Sequence, residues 1–164
     1  MSSTKSVKLD HIVLNQEANC LKRTGCARAA INEDGASAEK PPNTLPKLFK
    51  RALRFSESGR NDKAIRTYEK IIREYPDCPE AWLNLGICRA DPEIAMQAFE
   101  QALAIDPSYH DALYNKALVL DSLGQVSEAI ENLCLAEKCA TEQGDLCSSA
   151  MYCCSSGLLL VAEQ

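Results

Sequence analysis

The chain has 164 residues, enough for one domain plus a tail, and its 46% apolar and 25% charged residues are ordinary for a globular protein. Aromatic residues reach only 5%, which favours close-packed helices over sheets rich in β-branched and aromatic side chains. The net charge of −5 divides into +1 over residues 1–44 and −6 over residues 45–164, a balance that repels phosphate backbones and excludes nucleic acid as an expected partner.

Residues 1–44 show no sustained hydrophobic period. Gly25, Gly35 and the stretch Lys40-Pro41-Pro42-Asn43 read as linker, so a mostly disordered tail is expected, with Ile12-Val13-Leu14 as a short apolar segment suited to docking. The first thirty residues hold five basic and two acidic side chains, a composition with some transit-peptide flavour that Asp10 and Glu17 count against. A cytoplasmic protein is the expectation, with organellar import as the alternative. The longest apolar run, Leu158 to Ala162, falls far short of the ~20 residues of a membrane span.

From Leu45 the character changes to helix-period apolar residues with regular punctuation. Three segments align on Ala64, Ala95 and Ala129. Four residues after each alanine stands Tyr68, Phe99 or Leu133, then Ile71, Ala102 or Ala136. Pro76, Pro107 and Thr141 lie five residues further on. Upstream, Leu48, Trp82 and Leu113 are each followed four residues later by a small residue, Ala52, Gly86 or Ala117. Small residues at two fixed positions let paired helices approach closely, and a proline stops the second helix of the first two units. One such hairpin cannot bury its apolar face alone, whereas a stack can.

These landmarks resemble the 34-residue tetratricopeptide repeat. The likeness is closest over Ala81-Trp82-Leu83-Asn84-Leu85-Gly86 and from Ala98-Phe99 through Asp106-Pro107. The resemblance implies an all-α fold, an α-α superhelix of antiparallel helical hairpins. Repeats are expected over about 45–78, 79–109 and 110–143, with a capping helix over about 145–162. From Trp82 to Leu113 the spacing is 31 rather than 34, which predicts a shortened first helix in the second repeat. Asp91-Pro92-Glu93 there reads as an N-cap, a proline at the first helical position and an acidic first turn. Asp145 is the expected N-cap of the last helix, whose packing face is predicted to run through Leu146, Met151, Cys154, Leu158 and Val161. The surplus Leu159 and Leu160 suggest contact with a second copy or a partner.

In this family the first helices line a concave groove. The resemblance therefore implies a peptide groove formed by Phe49, Lys50 and Leu53, by Leu83, Asn84 and Ile87, and by Tyr114, Asn115 and Leu118, flanked by Ser56, Asp111 and Ser122. Asn84 and Asn115 occupy equivalent positions, and their amides suit the backbone of an extended peptide. The family's two-carboxylate clamp is absent, because Phe49, Leu53, Asp111 and Asn115 stand where it needs lysine, asparagine, lysine and arginine.

No Gly-rich phosphate loop, H-E-x-x-H or G-x-S-x-G motif occurs, so no enzyme and no cofactor are expected. The nine cysteines lack C-x-x-C spacing and accompany only His11 and His110, so no metal site is expected and the cysteines read as small buried apolar side chains. Arg66, Lys70 and Arg73, at helical spacing, read as a solvated outer face. The partner expected is another protein or peptide, with an adaptor or chaperone-like role. The alternative is a structural subunit of a larger complex, held through the C-terminal helix and the N-terminal tail, and self-association through that helix is a further possibility.

Overall fold

A computed structural model describes residues 44–162, with side chains as far as Gly157. The expected tail lies outside the described residues except for Thr44, as do Ile12-Val13-Leu14 and the side chains of Leu158 to Val161. Among the described residues seven helices follow one another: α1 (Thr44–Glu57), α2 (Asn61–Glu74), α3 (Pro79–Cys88), α4 (Pro92–Ile105), α5 (His110–Ser122), α6 (Val126–Glu142) and α7 (Leu146–Ala162). Among the described residues there is no strand. Each helix packs on the next, and α3 also touches α5 directly. The architecture is an all-α superhelix of antiparallel hairpins.

The helices form where apolar residues recur every three or four positions, and some of them stop where the chain changes hand. Gly59 and Gly124, at φ of 71° and 78°, follow α1 and α5. Only a residue without Cβ adopts that conformation at little cost. It lets the Arg60 amide donate to the Phe55 carbonyl at 2.8 Å and the Gln125 amide donate to the Leu120 carbonyl at 2.9 Å, closing both helix ends. The middle hairpin has no such glycine. Its first helix, α3, has 10 residues against 14 in α1 and 13 in α5, which is where the shortened spacing falls. There Asp91 accepts from the amides of Glu93 and Ile94, at 2.9 and 3.4 Å, and Pro92 opens α4.

Packing between paired helices sets small against large. Ala52, Gly86 and Ala117 on the first helices, and Ala64, Ala95 and Ala129 on the second, are all buried. The bulky Tyr68, Phe99 and Leu133 fill the space beside them and are 2% exposed or less. Burying each side chain of that size stabilises by about 2–3 kcal/mol. Trp82 touches the core on both sides of α3, and its indole N–H donates to the Pro76 carbonyl at 3.1 Å. Arg89, just past α3, donates to Glu69 of α2 at 2.7 Å and ties the first two hairpins together.

The last helix docks differently from the expectation. Asp145 is its N-cap, accepting from the Ser148 amide at 3.1 Å and the Ser148 hydroxyl at 2.8 Å. Those bonds, with burial opposing them and His110 nearby adding to them, hold the Asp145 carboxyl below its ordinary range. Among the described residues the inward face is led by Tyr152 and Ser156, at 1% and 7% exposure, whereas Leu146 is 72% exposed and Cys154 is also exposed. Met151 is half-buried. The physical reason is the polar end of the tyrosine. Its ring stacks on Tyr114 with centroids 4.7 Å apart, and its hydroxyl donates to Asp111 at 2.9 Å and lies 3.1 Å from His110 Nδ1. Burial, and then the neighbouring Asp111 carboxylate, push the Tyr152 phenol well above its ordinary pKa, so it stays a donor. No leucine at that place could satisfy the buried His110 and the half-buried Asp111 together.

Two substitutions test this packing. A Cβ at Gly86 would lie 2.5 Å from Phe99 Cε1, and the buried ring has no room to retreat. Gly86→Ala should therefore lower stability by about 1–2 kcal/mol even after the gain in helix propensity, read as the urea midpoint. A midpoint that rises would contradict the close approach. Tyr152→Phe keeps the ring but removes the hydroxyl shared by His110 and Asp111, and should cost about 1–3 kcal/mol in the same measurement. An unchanged midpoint would show that α7 is held by its ring alone.

Candidate functional site: the wall of first helices

The first helices stand side by side and form one wall. The Cys88 thiol of α3 donates to the Ser56 hydroxyl of α1 at 3.5 Å, α3 meets α5, and Tyr152 of α7 stacks on Tyr114 of α5. Because the hairpins repeat, equivalent residues recur along the wall at intervals of 34, 31 and 34. One row reads Leu53, Ile87, Leu118 and Tyr152. A second reads Lys50, Asn84, Asn115 and Ser149. A third reads Pro46, Glu80, Asp111 and Asp145.

The structure sorts the nine groove residues expected from the sequence. Lys50 is exposed, and Leu53, Ile87, Asn115 and Leu118 are half-buried. Phe49 and Leu83 are 5% and 0% exposed and belong to the core. Phe49 packs edge-on against Tyr68, with ring centroids 6.1 Å apart, so it holds α1 to α2. Tyr114, at 7% exposure, is covered by Tyr152. These three side chains are corrected from groove surface to packing, because the next element along the solenoid covers them.

The two asparagines keep their common position, and each amide N–H makes the same local bond. Asn84 donates to the Glu80 carbonyl and Asn115 to the Asp111 carbonyl, both at 2.7 Å. The carbonyl acceptor orients the amide and turns each Oδ1 the other way. Asn132 of α6, on a second helix, donates to the Glu128 carbonyl at 2.8 Å, so the bond itself is a habit of helical asparagine and marks no ligand. Beyond that bond, each of the two amides carries an oxygen and a second N–H. Asn84 is only 7% exposed, which places its amide deeper than that of Asn115.

The carboxylate row is the feature missed as a set. Asp111 receives the Tyr152 hydroxyl, Asp145 caps α7, and Glu80 accepts from the Cys78 thiol at 3.4 Å. Extending the same register one more unit, into α7, would have placed Asp145, already expected as the N-cap, in this row and would have found Tyr152. An edge of this sign disfavours a terminal carboxylate, in keeping with the missing basic clamp.

Cysteine is more exposed than expected. Of the described cysteines Cys78 and Cys88 are buried, Cys139 is half-buried, and Cys134, Cys147, Cys153 and Cys154 are exposed. The last four lie on outward faces of α6 and α7, where no further helix covers them among the described residues. The Glu137 carboxylate beside Cys153 pushes that thiol up, away from the reactive thiolate. Among the described residues no group of three His, Cys, Asp or Glu side chains is arranged to hold a metal ion, and no helix is long and apolar enough to cross a membrane.

Comparison with known proteins agrees with this geometry. Two tetratricopeptide-repeat family models match, over residues 49–91 and 98–131. A CTR9 homolog of Arabidopsis thaliana is 32% identical over 76 residues, 44% of this chain but 7% of the relative's own length. Among solved structures, the type III secretion translocator chaperone SycD of Yersinia enterocolitica superposes with a TM-score of 0.69 at 19% identity, covering 76% of this chain and 89% of SycD. PcrH of Pseudomonas aeruginosa, in complex with the chaperone-binding region of PopD, gives 0.69 at 19% identity over 79% of this chain and 98% of its own. At that identity the structures speak for the fold alone. The family models thus match tetratricopeptide repeats over residues 49–91 and 98–131 of this chain, and the solved structures share the fold in which those repeats stack.

Proposed function

We propose that the wall of first helices holds an extended, partly apolar segment of another protein, in an adaptor or chaperone-like role. The observation that carries the reading is the row of half-buried Leu53, Ile87 and Leu118 running beside Lys50, Asn84 and Asn115. Packed helices stand about 8–10 Å apart, and an extended chain advances ~10 Å in three residues, so one register of a peptide meets every first helix in turn. The apolar row receives side chains of the ligand, and the two amides receive its backbone. Such bonds read no sequence, which suits a module that recognises shape and hydrophobicity more than identity. PcrH, with the same fold, is seen with the chaperone-binding region of PopD.

A second reading, a structural subunit attached through α7, is favoured by that helix's outer face. Leu146–Ala162 contains no charged residue, and Leu146, Cys147, Ala150, Cys153 and Cys154 are exposed. Self-association of the chain through the same face belongs to this reading.

Crosslinking pull-down from the native cell supplies the partner for a direct comparison. Asn84→Ala with Asn115→Ala should weaken its binding about 10- to 100-fold, given ~1 kcal/mol or more for each amide bond lost. The exposed-face change Leu146→Lys should leave binding intact. The opposite pattern would refute the groove and support attachment through α7.

A further inference from the structure

The charge of the described chain is sharply divided. Residues 44–75, which make up α1, α2 and the turn after them, carry nine basic and four acidic side chains, a net of +5. Residues 76–162 carry three basic and thirteen acidic, a net of −10. All nine basic side chains of the first hairpin are exposed. An end hairpin needs a polar outer face to stay soluble, but mixed charges meet that need, and an excess of one sign does not follow from it.

The excess is organised on α2. Lys63, Arg66, Lys70 and Arg73 fall at intervals of 3, 4 and 3, which puts them on one face of the helix opposite the buried Ala64, Tyr68 and Ile71. The stripe runs about 15 Å. Glu69, placed four residues before Arg73 to form an intrahelical pair, is instead held by Arg89 at 2.7 Å. None of the four stripe cations forms an ion pair among the described residues. At the helix start, Lys63 joins Arg51 and Arg60 around the half-buried Phe55 ring, all three within 5.9 Å of its centroid. The cationic surface therefore continues from α2 onto α1.

We propose that this stripe is a second docking surface, separate from the wall of first helices, and that its partner is a helix with acidic residues along one face. Charge complementarity selects an anion. The acidic remainder of the chain selects a short one, because a nucleic-acid duplex or an anionic bilayer would extend past the first hairpin and be repelled by the net charge of −10 beside it. The shape selects a helix. A convex helix face offers no cleft and no free backbone groups to an extended strand, whereas a partner helix satisfies its own backbone and can set acids at the same 3-4-3 spacing.

The test uses the full chain and two synthetic helical peptides of identical composition. In one the glutamates follow the 3-4-3 spacing on a single face, and in the other they are spread around the helix. The patterned peptide should bind about tenfold tighter or more, and its affinity should fall about tenfold or more between low and high salt. Arg66→Glu with Lys70→Glu should abolish binding. The milder Arg66→Gln with Lys70→Gln should weaken it while far-ultraviolet circular dichroism stays unchanged, and Asn84→Ala should have no effect. Equal affinity for the two peptides, binding that survives charge reversal, or tighter binding to duplex DNA or phosphatidylserine vesicles would each overturn the proposal.

Discussion

Everything in this molecule depends on how closely two helices of a hairpin can approach. Ala52, Gly86 and Ala117 leave room on the first helices, and Tyr68, Phe99 and Leu133 fill it from the second. Gly86 is the extreme case, since even a methyl group there would overlap the Phe99 ring. Close approach fixes the separation of the helices within a hairpin. The packing of α3 on α2, of α5 on α4 and of α7 on α6 then fixes the separation of hairpins. The wall of first helices and the outer row of second helices both inherit their register from that one constraint. Interiors are packed too densely for the register to drift by a residue without cost.

Much of this was legible in the sequence because it is written in small and large residues at fixed intervals. The small and bulky residues of each unit, the Asp91-Pro92 start of α4 and the shortened α3 all follow from spacing and capping alone. What spacing cannot show is which neighbour covers a side chain. Phe49, Leu83 and Tyr114 stand at wall positions by number, yet each is buried against another element. The last helix is the clearest case. A count of apolar residues favoured Leu146 and Cys154 as its inner face, but Tyr152 won because its hydroxyl meets both His110 and Asp111. A polar contact between residues some forty positions apart leaves no periodic trace. The cysteines misled in the same way, since residue type signals burial only on average and α6 and α7 present theirs outward.

Two surfaces of opposite character result. The wall is lined by apolar side chains and amides with a carboxylate edge, and its polar groups are partly engaged within the fold. The first hairpin carries on its outer face cations that form no ion pair among the described residues. A net charge of −5 for the whole chain conceals this division, and so does a reading that treats residues 45–164 as one acidic body. Separated surfaces of this kind let one small solenoid meet two different chemistries at once. The Glu69–Arg89 pair contributes to the division, since it engages one acid of α2 that stands four residues before a stripe cation, Arg73.

The most direct test of the central claim is site-specific photo-crosslinking in the full chain. A benzophenone side chain would replace Leu118 on the wall in one protein and Leu135, half exposed on the outer face of α6, in another. The account predicts a partner adduct from position 118, mapped to one extended apolar segment, and none from position 135. Adducts from position 135 with none from 118 would contradict the assignment of the wall as the binding face.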